Sequence, residues 1–140
     1  MTFNGLSWGY IDSEQARPYS YTAQQILKML NTVCAGGGNL LLNIGPAPDG
    51  SVPEEAQKPL ATVGAWLASH GQAVYGSLTA VGRHRPSGAG GISVKGNKVY
   101  FWCRIWPHQG EMSLGGFMTS LRSVRLLHDG SPVEWEQKSQ

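Results

Sequence analysis

GGGNLLLNIGPAPDG, residues 36–50, is the stretch on which the fold turns. Its middle, Leu40-Leu41-Leu42-Asn43-Ile44, is a short apolar run with glycines before it and Gly45-Pro46 after it. Such a run predicts a strand buried on both faces, as in parallel sheets. A helical pattern precedes it, and a turn behind it opens a second one. Helix, Gly-rich turn, buried strand, Pro/Gly loop, helix is the repeat of an α/β barrel or an open α/β sheet. In both, the loop that follows the strand carries chemistry, so a site is expected between Asn43 and Gly50.

Working outward, Thr22 is placed to cap a helix running to about Ala35, with Gln25 completing a capping box. Ile26, Met29, Leu30 and Val33 mark its buried face. Gly36 to Gly38 stop it and turn the chain into the strand. Downstream, Asp49-Gly50 makes a turn and Pro53 suits the first position of a helix. Glu54 and Glu55 complement that helix's dipole, and Leu60, Val63, Trp66 and Leu67 carry its apolar face to about His70. Pro59 opposes it, since an interior proline removes a hydrogen bond. Residues 1–20 show no sustained period. Trp8-Gly9-Tyr10 followed by a polar loop reads as a strand end and a long functional loop. So abrupt an opening leads us to expect a further element upstream.

From about Tyr75 the texture changes. Pro86 to Gly91 is a loop; Ile92–Val94 and Lys98–Trp106 predict strands joined at Gly96-Asn97. Ser123–His128 and Pro132–Glu136 predict a second hairpin around Asp129-Gly130, so this half is expected to be antiparallel β, part of a small sandwich. Val99, Phe101, Cys103 and Ile105 share one face, with Tyr100, Trp102 and Trp106 on the other. Both are apolar, so one must cover a neighbour. The boundary is expected within 75–85.

Composition excludes several classes. Charged residues are 14%, which suits buried strands and weighs against disorder. The net charge of +2 is dispersed apart from Arg83-His84-Arg85, too little for a nucleic-acid footprint. No apolar stretch reaches membrane-spanning length, and the N-terminus lacks the pattern of a signal peptide. Cys34 and Cys103 read as free thiols, and the compartment stays open.

Three glycines lie before the strand rather than after it, the wrong order for a phosphate cradle. The four histidines are scattered, so neither metal nor cofactor is expected. Sugar hydrolysis needs two carboxylates facing one bond, and Asp12, Glu14 and Asp49 lie on loops of the expected site. Asp49 also reads as a turn former, and Asp12 and Glu14 as a solvated loop. Trp8, Tyr10, Tyr19 and Tyr21 suit an apolar wall for a sugar face, or core packing. Asn43 is a polar group ending a buried strand and needs a partner.

Trp8-Gly9-Tyr10, the helix 21–30, Gly37-Gly38-Asn39-Leu40-Leu41-Leu42-Asn43-Ile44-Gly45-Pro46, Asp49-Gly50 and Gly71-Gln72-Ala73-Val74-Tyr75-Gly76 together resemble the α-L-fucosidases of glycoside hydrolase family 29. The resemblance covers nearly the whole chain. It implies an α/β fold: a partial (β/α) barrel segment in residues 1–76, then an antiparallel β-sandwich-like segment in 77–140, stopping short of its last strands. It implies retaining removal of terminal α-L-fucose from glycans through a covalent intermediate. The family's aspartate nucleophile, its usual glutamate acid/base and its fucose-binding histidines fall upstream of Met1 and have no matching positions. Tyr19 or Tyr21 matches an aromatic that reaches fucose in some members; Pro59 departs from the family's helix. Glu14 and Asp49 are then the internal catalytic candidates, and Trp8, Tyr19, Tyr21 and Asn43 the substrate-binding ones. The expected partners are a fucosylated glycan and further copies of the chain, with no nucleic acid and no membrane. The alternative is a truncated, non-catalytic module that binds glycans.

Overall fold

The computed structural model describes residues 2, 7–12, 21–81 and 86–138. Helix α1 spans Ala23–Ala35 and begins as its sequence dictates. The Thr22 hydroxyl accepts from the Gln25 backbone N–H, and the Gln25 side chain accepts from the Thr22 N–H at 2.8 Å. That box satisfies two donors that a helix start leaves open. Helix α2 spans Glu54–His70, with Pro53 as its cap and Glu54 and Glu55 in its first turn. Pro59 sits inside it without ending it, and forgoes the hydrogen bond that another residue there would donate to the Glu55 carbonyl. A 3₁₀ turn, Gly71–Ala73, follows directly.

The segment 40–44 differs from its expectation. Among the described residues it makes one parallel bridge, Thr2 to Asn43, rather than a ladder. Alternation explains its burial: Leu42 and Ile44 pack on the cluster formed by Ile26, Ala56 and Val63. Leu41, pointing the opposite way, is 70% exposed. Burial on both faces therefore fails at Leu41, because the helices cover one side only.

Strands β1 (Gly90–Lys95) and β2 (Lys98–Cys103) form an antiparallel hairpin in which Lys95 pairs with Lys98. Gly96 alone in the two-residue turn has a positive φ, +58°, as a II′ turn requires. β2 ends at Cys103 rather than Trp106. Its partner begins only at Gly90, and the Ala89 carbonyl takes both the Arg104 and Ile105 N–H groups. Trp102 is the buried face of β2; Ile105 and Trp106 are each 67% exposed. The second expected hairpin is a single bridge, Arg125 to Pro132, around an Asp129-Gly130 turn.

The hairpin packs on the end of the helical part. Cys34, Ala73 and Trp102 form a second core cluster, flanked by Leu30, Trp66 and Tyr100. α1 thus serves both clusters, through Ile26 at one end and Cys34 at the other. The Ser93 hydroxyl donates to the Ala73 carbonyl at 2.7 Å and accepts from the Trp102 indole at 2.9 Å. Lys95 donates to the Tyr75 carbonyl at 2.9 Å. Packing therefore runs across 75–85. Both thiols are free, and burial pushes that of Cys34 up. No helix among the described residues is long and apolar enough to cross a membrane.

Candidate functional site

The loop Trp8-Gly9-Tyr10 is held against the far end of the 40–44 segment. Asn43 supplies the link: its side-chain amide donates to the Trp8 carbonyl. Gly45 supplies the room. A Cβ there would lie 2.8 Å from the Gly9 carbonyl oxygen, and its φ of +56° is one that favours glycine. Trp8 is 60% and Tyr10 40% exposed, so both rings are available at the surface. Tyr21 instead packs on the first core cluster, ahead of α1. Glu14 and Tyr19 lie outside the described residues, as does Arg83-His84-Arg85.

Asp49 is occupied by its own turn. Its Oδ1 accepts from the Ser51 hydroxyl at 2.7 Å and the Ser51 N–H at 2.9 Å. These two bonds, the hydroxyl's first, hold its carboxyl below the ordinary aspartate range. The chain contains a comparison for this geometry. Asp129-Gly130-Ser131, far along the sequence, makes the same pair of bonds at 2.8 Å each. There too the carboxyl is lowered by Ser131. The features of Asp49 are thus those of an Asp-Gly-Ser turn wherever it falls.

The ionised carboxylate is the form that accepts both bonds. Because the folded pKa is depressed, the stabilisation is complete above the unfolded aspartate's titration and is lost as pH falls through the lower folded value. We expect the Ser51 and Ser131 amide resonances to titrate in parallel, both below the ordinary aspartate midpoint. Asp49→Asn should abolish the Ser51 titration and leave that of Ser131; a Ser51 midpoint at or above the ordinary value would sink this reading.

An open cleft of about 340 Å³ separates Tyr10 and Ile11 from the start of α2. Ser51, Glu54, Glu55 and Gln57 face it from the α2 side. From the sequence, Glu54 and Glu55 carry only a dipole role, and they fall just past the expected site loop of residues 43–50. Carboxylates and amides beside an aromatic ring suit the hydroxyls and apolar face of a sugar. Among the described residues, no three His, Cys, Asp or Glu side chains gather as metal ligands.

Among the described residues, two helices, an extended segment with one parallel bridge and a two-stranded antiparallel hairpin are the elements of a partial α/β fold. More particularly, the chain belongs to the alpha-L-fucosidase family, whose model matches residues 1–72. It is similar to plasma alpha-L-fucosidase of Homo sapiens, with 33% identity over 96% of this chain and 30% of that protein. Among solved structures it resembles alpha-L-fucosidase isoenzyme 1 from Paenibacillus thiaminolyticus, at 32% identity and a TM-score of 0.80. That match covers 97% of this chain and 31% of the other. A fucosidase from Bacteroides thetaiotaomicron superposes with a TM-score of 0.84 at 22% identity, which shows the fold alone. The chain spans less than a third of the length of these relatives.

Proposed function

We propose that this chain serves α-L-fucosidase chemistry, the retaining hydrolysis of terminal α-L-fucose from fucosylated glycans. The observation that carries the proposal is the latch of Asn43 and Gly45 on Trp8-Gly9-Tyr10, which fixes an exposed aromatic loop at the end of the 40–44 segment. Residues 1–76 act as the C-terminal part of a (β/α) barrel, and 77–140 as a β-sandwich-like domain. Trp8 and Tyr10 form the sugar-facing wall, with Tyr19 and Tyr21 as its further candidates; Asn43 positions the loop. A retaining reaction needs two carboxyl groups about 5 Å apart. Within this chain the candidates are Glu14 as acid and Asp49 as ionised partner. Ser51 holds Asp49 through Oδ1, so chemistry there falls to Oδ2.

With only this pair to draw on, the 140 residues by themselves are expected to turn over an aryl α-L-fucoside at well below about 1 per second. Fucose binding should weaken by about 1 kcal/mol in Trp8→Ala while the fold persists. Release at ordinary enzyme rates that survives both Glu14→Gln and Asp49→Asn would remove this pair. Fucose binding with no turnover under any condition supports the second reading, a non-catalytic glycan-binding module. Trp8 exposure and the turn role of Asp49 favour that reading. The exposed Ile105–Trp106 surface further supports self-association of the isolated chain. Light scattering at micromolar concentration should show an oligomer, and a monodisperse monomer would sink this.

A further inference from the structure

We propose that Asp49-Gly50 and Asp129-Gly130 are sites of succinimide-mediated isomerisation to isoaspartate, and that the serine after each glycine gates the reaction. The proposal goes beyond the fucosidase reading and does not depend on it, because it rests on the two turns alone.

In this reaction the glycine nitrogen attacks Cγ of the aspartate before it. A C–N bond forms, the C–OH bond of the carboxyl breaks, and the hydroxyl leaves with the amide proton as water. A second water then opens the cyclic imide. Opening at the main-chain carbonyl leaves the chain running through the former side-chain carboxyl, which is isoaspartate. No oxidant or reductant takes part. Glycine suits the attacking position, since no Cβ crowds its nitrogen.

The reaction has three requirements. Cγ must turn onto the glycine nitrogen, the nitrogen must give up its proton, and the carboxyl must be protonated so that it can leave as water. Both turns oppose all three, and in the same way. The Ser51 N–H and hydroxyl hold Asp49 Oδ1 at 2.9 Å and 2.7 Å. Those of Ser131 hold Asp129 Oδ1 at 2.8 Å each. Each aspartate is therefore anchored two residues on, away from its own glycine. Both bonds favour the ionised carboxylate, and each carboxyl lies below the ordinary aspartate range on account of its serine. The glycine N–H groups are engaged as well: Gly50 donates to the Ala47 carbonyl at 2.8 Å and Gly130 to that of Leu126 at 3.0 Å. A further bond closes each frame, from Ala47 N–H to the Ser51 carbonyl and from Leu126 N–H to the Ser131 carbonyl, both at 2.9 Å.

The two sites differ in one contact. Asp129 Oδ2 lies 3.3 Å from His128 Nε2, a weak second hold at the surface while that ring is protonated. Asp49 is thus the cleaner test of the serine. It is also the site with a consequence for the cleft, whose wall includes Ala47 and Ser51. An extra main-chain methylene at position 49 reshapes that wall.

The test incubates the 140-residue chain in mildly acidic buffer and measures isoaspartate at each site by peptide mapping, beside the same chain in denaturing urea. Urea dissolves both turns, so both sites should convert there at their unprotected rate and more slowly in native buffer. One lost hydrogen bond shifts an equilibrium by about fivefold, so Ser51→Ala should speed conversion at Asp49 by about that factor and leave Asp129 at the parent's rate. Ser131→Ala should do the reverse. Ser51→Thr keeps the hydroxyl and should stay near the parent. A variant that unfolds speeds both sites together, and the other serine variant then decides. The proposal is overturned by native rates equal to those in urea, or by no isoaspartate in urea at either site. Conversion at Asp49 that is the same in the parent, Ser51→Ala and Ser51→Thr overturns it too, as does acceleration of both sites together in each alanine variant.

Discussion

Trp102→Ala is expected to cost about 3–5 kcal/mol, a large share of the stability of an ordinary domain. The indole is 8% exposed and lies 4.9 Å from the Trp66 ring, so its removal opens a cavity between β2 and α2. It also strips the Ser93 hydroxyl of its donor, while Ser93 still serves the Ala73 carbonyl. Two comparisons separate these effects. Trp102→Phe keeps most of the apolar volume and loses the N–H, for about 1 kcal/mol plus imperfect packing. Ser93→Ala keeps the ring and leaves two buried groups, the indole N–H and the Ala73 carbonyl, without their partner, at about 1–3 kcal/mol each. Urea midpoints should therefore place Trp102→Phe nearest the parent, with Ser93→Ala and Trp102→Ala both well below it. Trp102→Ala within about 1 kcal/mol of the parent would mean that the hairpin does not share a core with the helices.

Local chemistry made the elements legible in the sequence. Thr22 with Gln25, Pro53 with Glu54 and Glu55, and Gly96-Asn97 between alternating residues each decide a boundary through neighbours a few positions away. Which face of β2 turns inward was not legible, because both faces are apolar. The choice depends on Ser93 and Ala73, 9 and 20 residues from their bonded partners. Asn31 was missed for a similar reason. It is a polar residue on the buried side of α1, and it sits where a side chain on Gly91 of β1 would meet its carboxamide. Leu41 misled because an apolar run carries no information on whether both layers above it are present. For the site, the Asp-Gly turn and the need of Asn43 for a partner were legible. The cleft residues Glu54 and Glu55 were not, since their role depends on residues 10–11 approaching from across the chain.

Gly45→Ala is the substitution that tests whether the aromatic loop is held where the site requires. The new Cβ would meet the Gly9 carbonyl oxygen at 2.8 Å, its carbon at 3.0 Å and the Tyr10 nitrogen at 3.2 Å. All three are backbone atoms, so no rotamer change relieves the contact and the loop itself must move. Alanine at a φ of +56° adds a conformational cost, and together the two should reach about 1–3 kcal/mol or more. Gly50→Ala provides the reference, for it has a φ of +84° with nothing within 4 Å of the added carbon. It carries strain without contact, so the excess of Gly45→Ala over Gly50→Ala reads the approach of the two loops. Asn43→Ala removes the other half of the latch, for about 1 kcal/mol. Hydrogen exchange at Gly9 and Tyr10 should quicken in Gly45→Ala and Asn43→Ala, and stay unchanged in Gly50→Ala. Equal stability of the two glycine variants, with unaltered exchange at Gly9 and Tyr10, would show that the loop is not fixed by this contact, and Trp8 would lose its claim to a built sugar-facing wall.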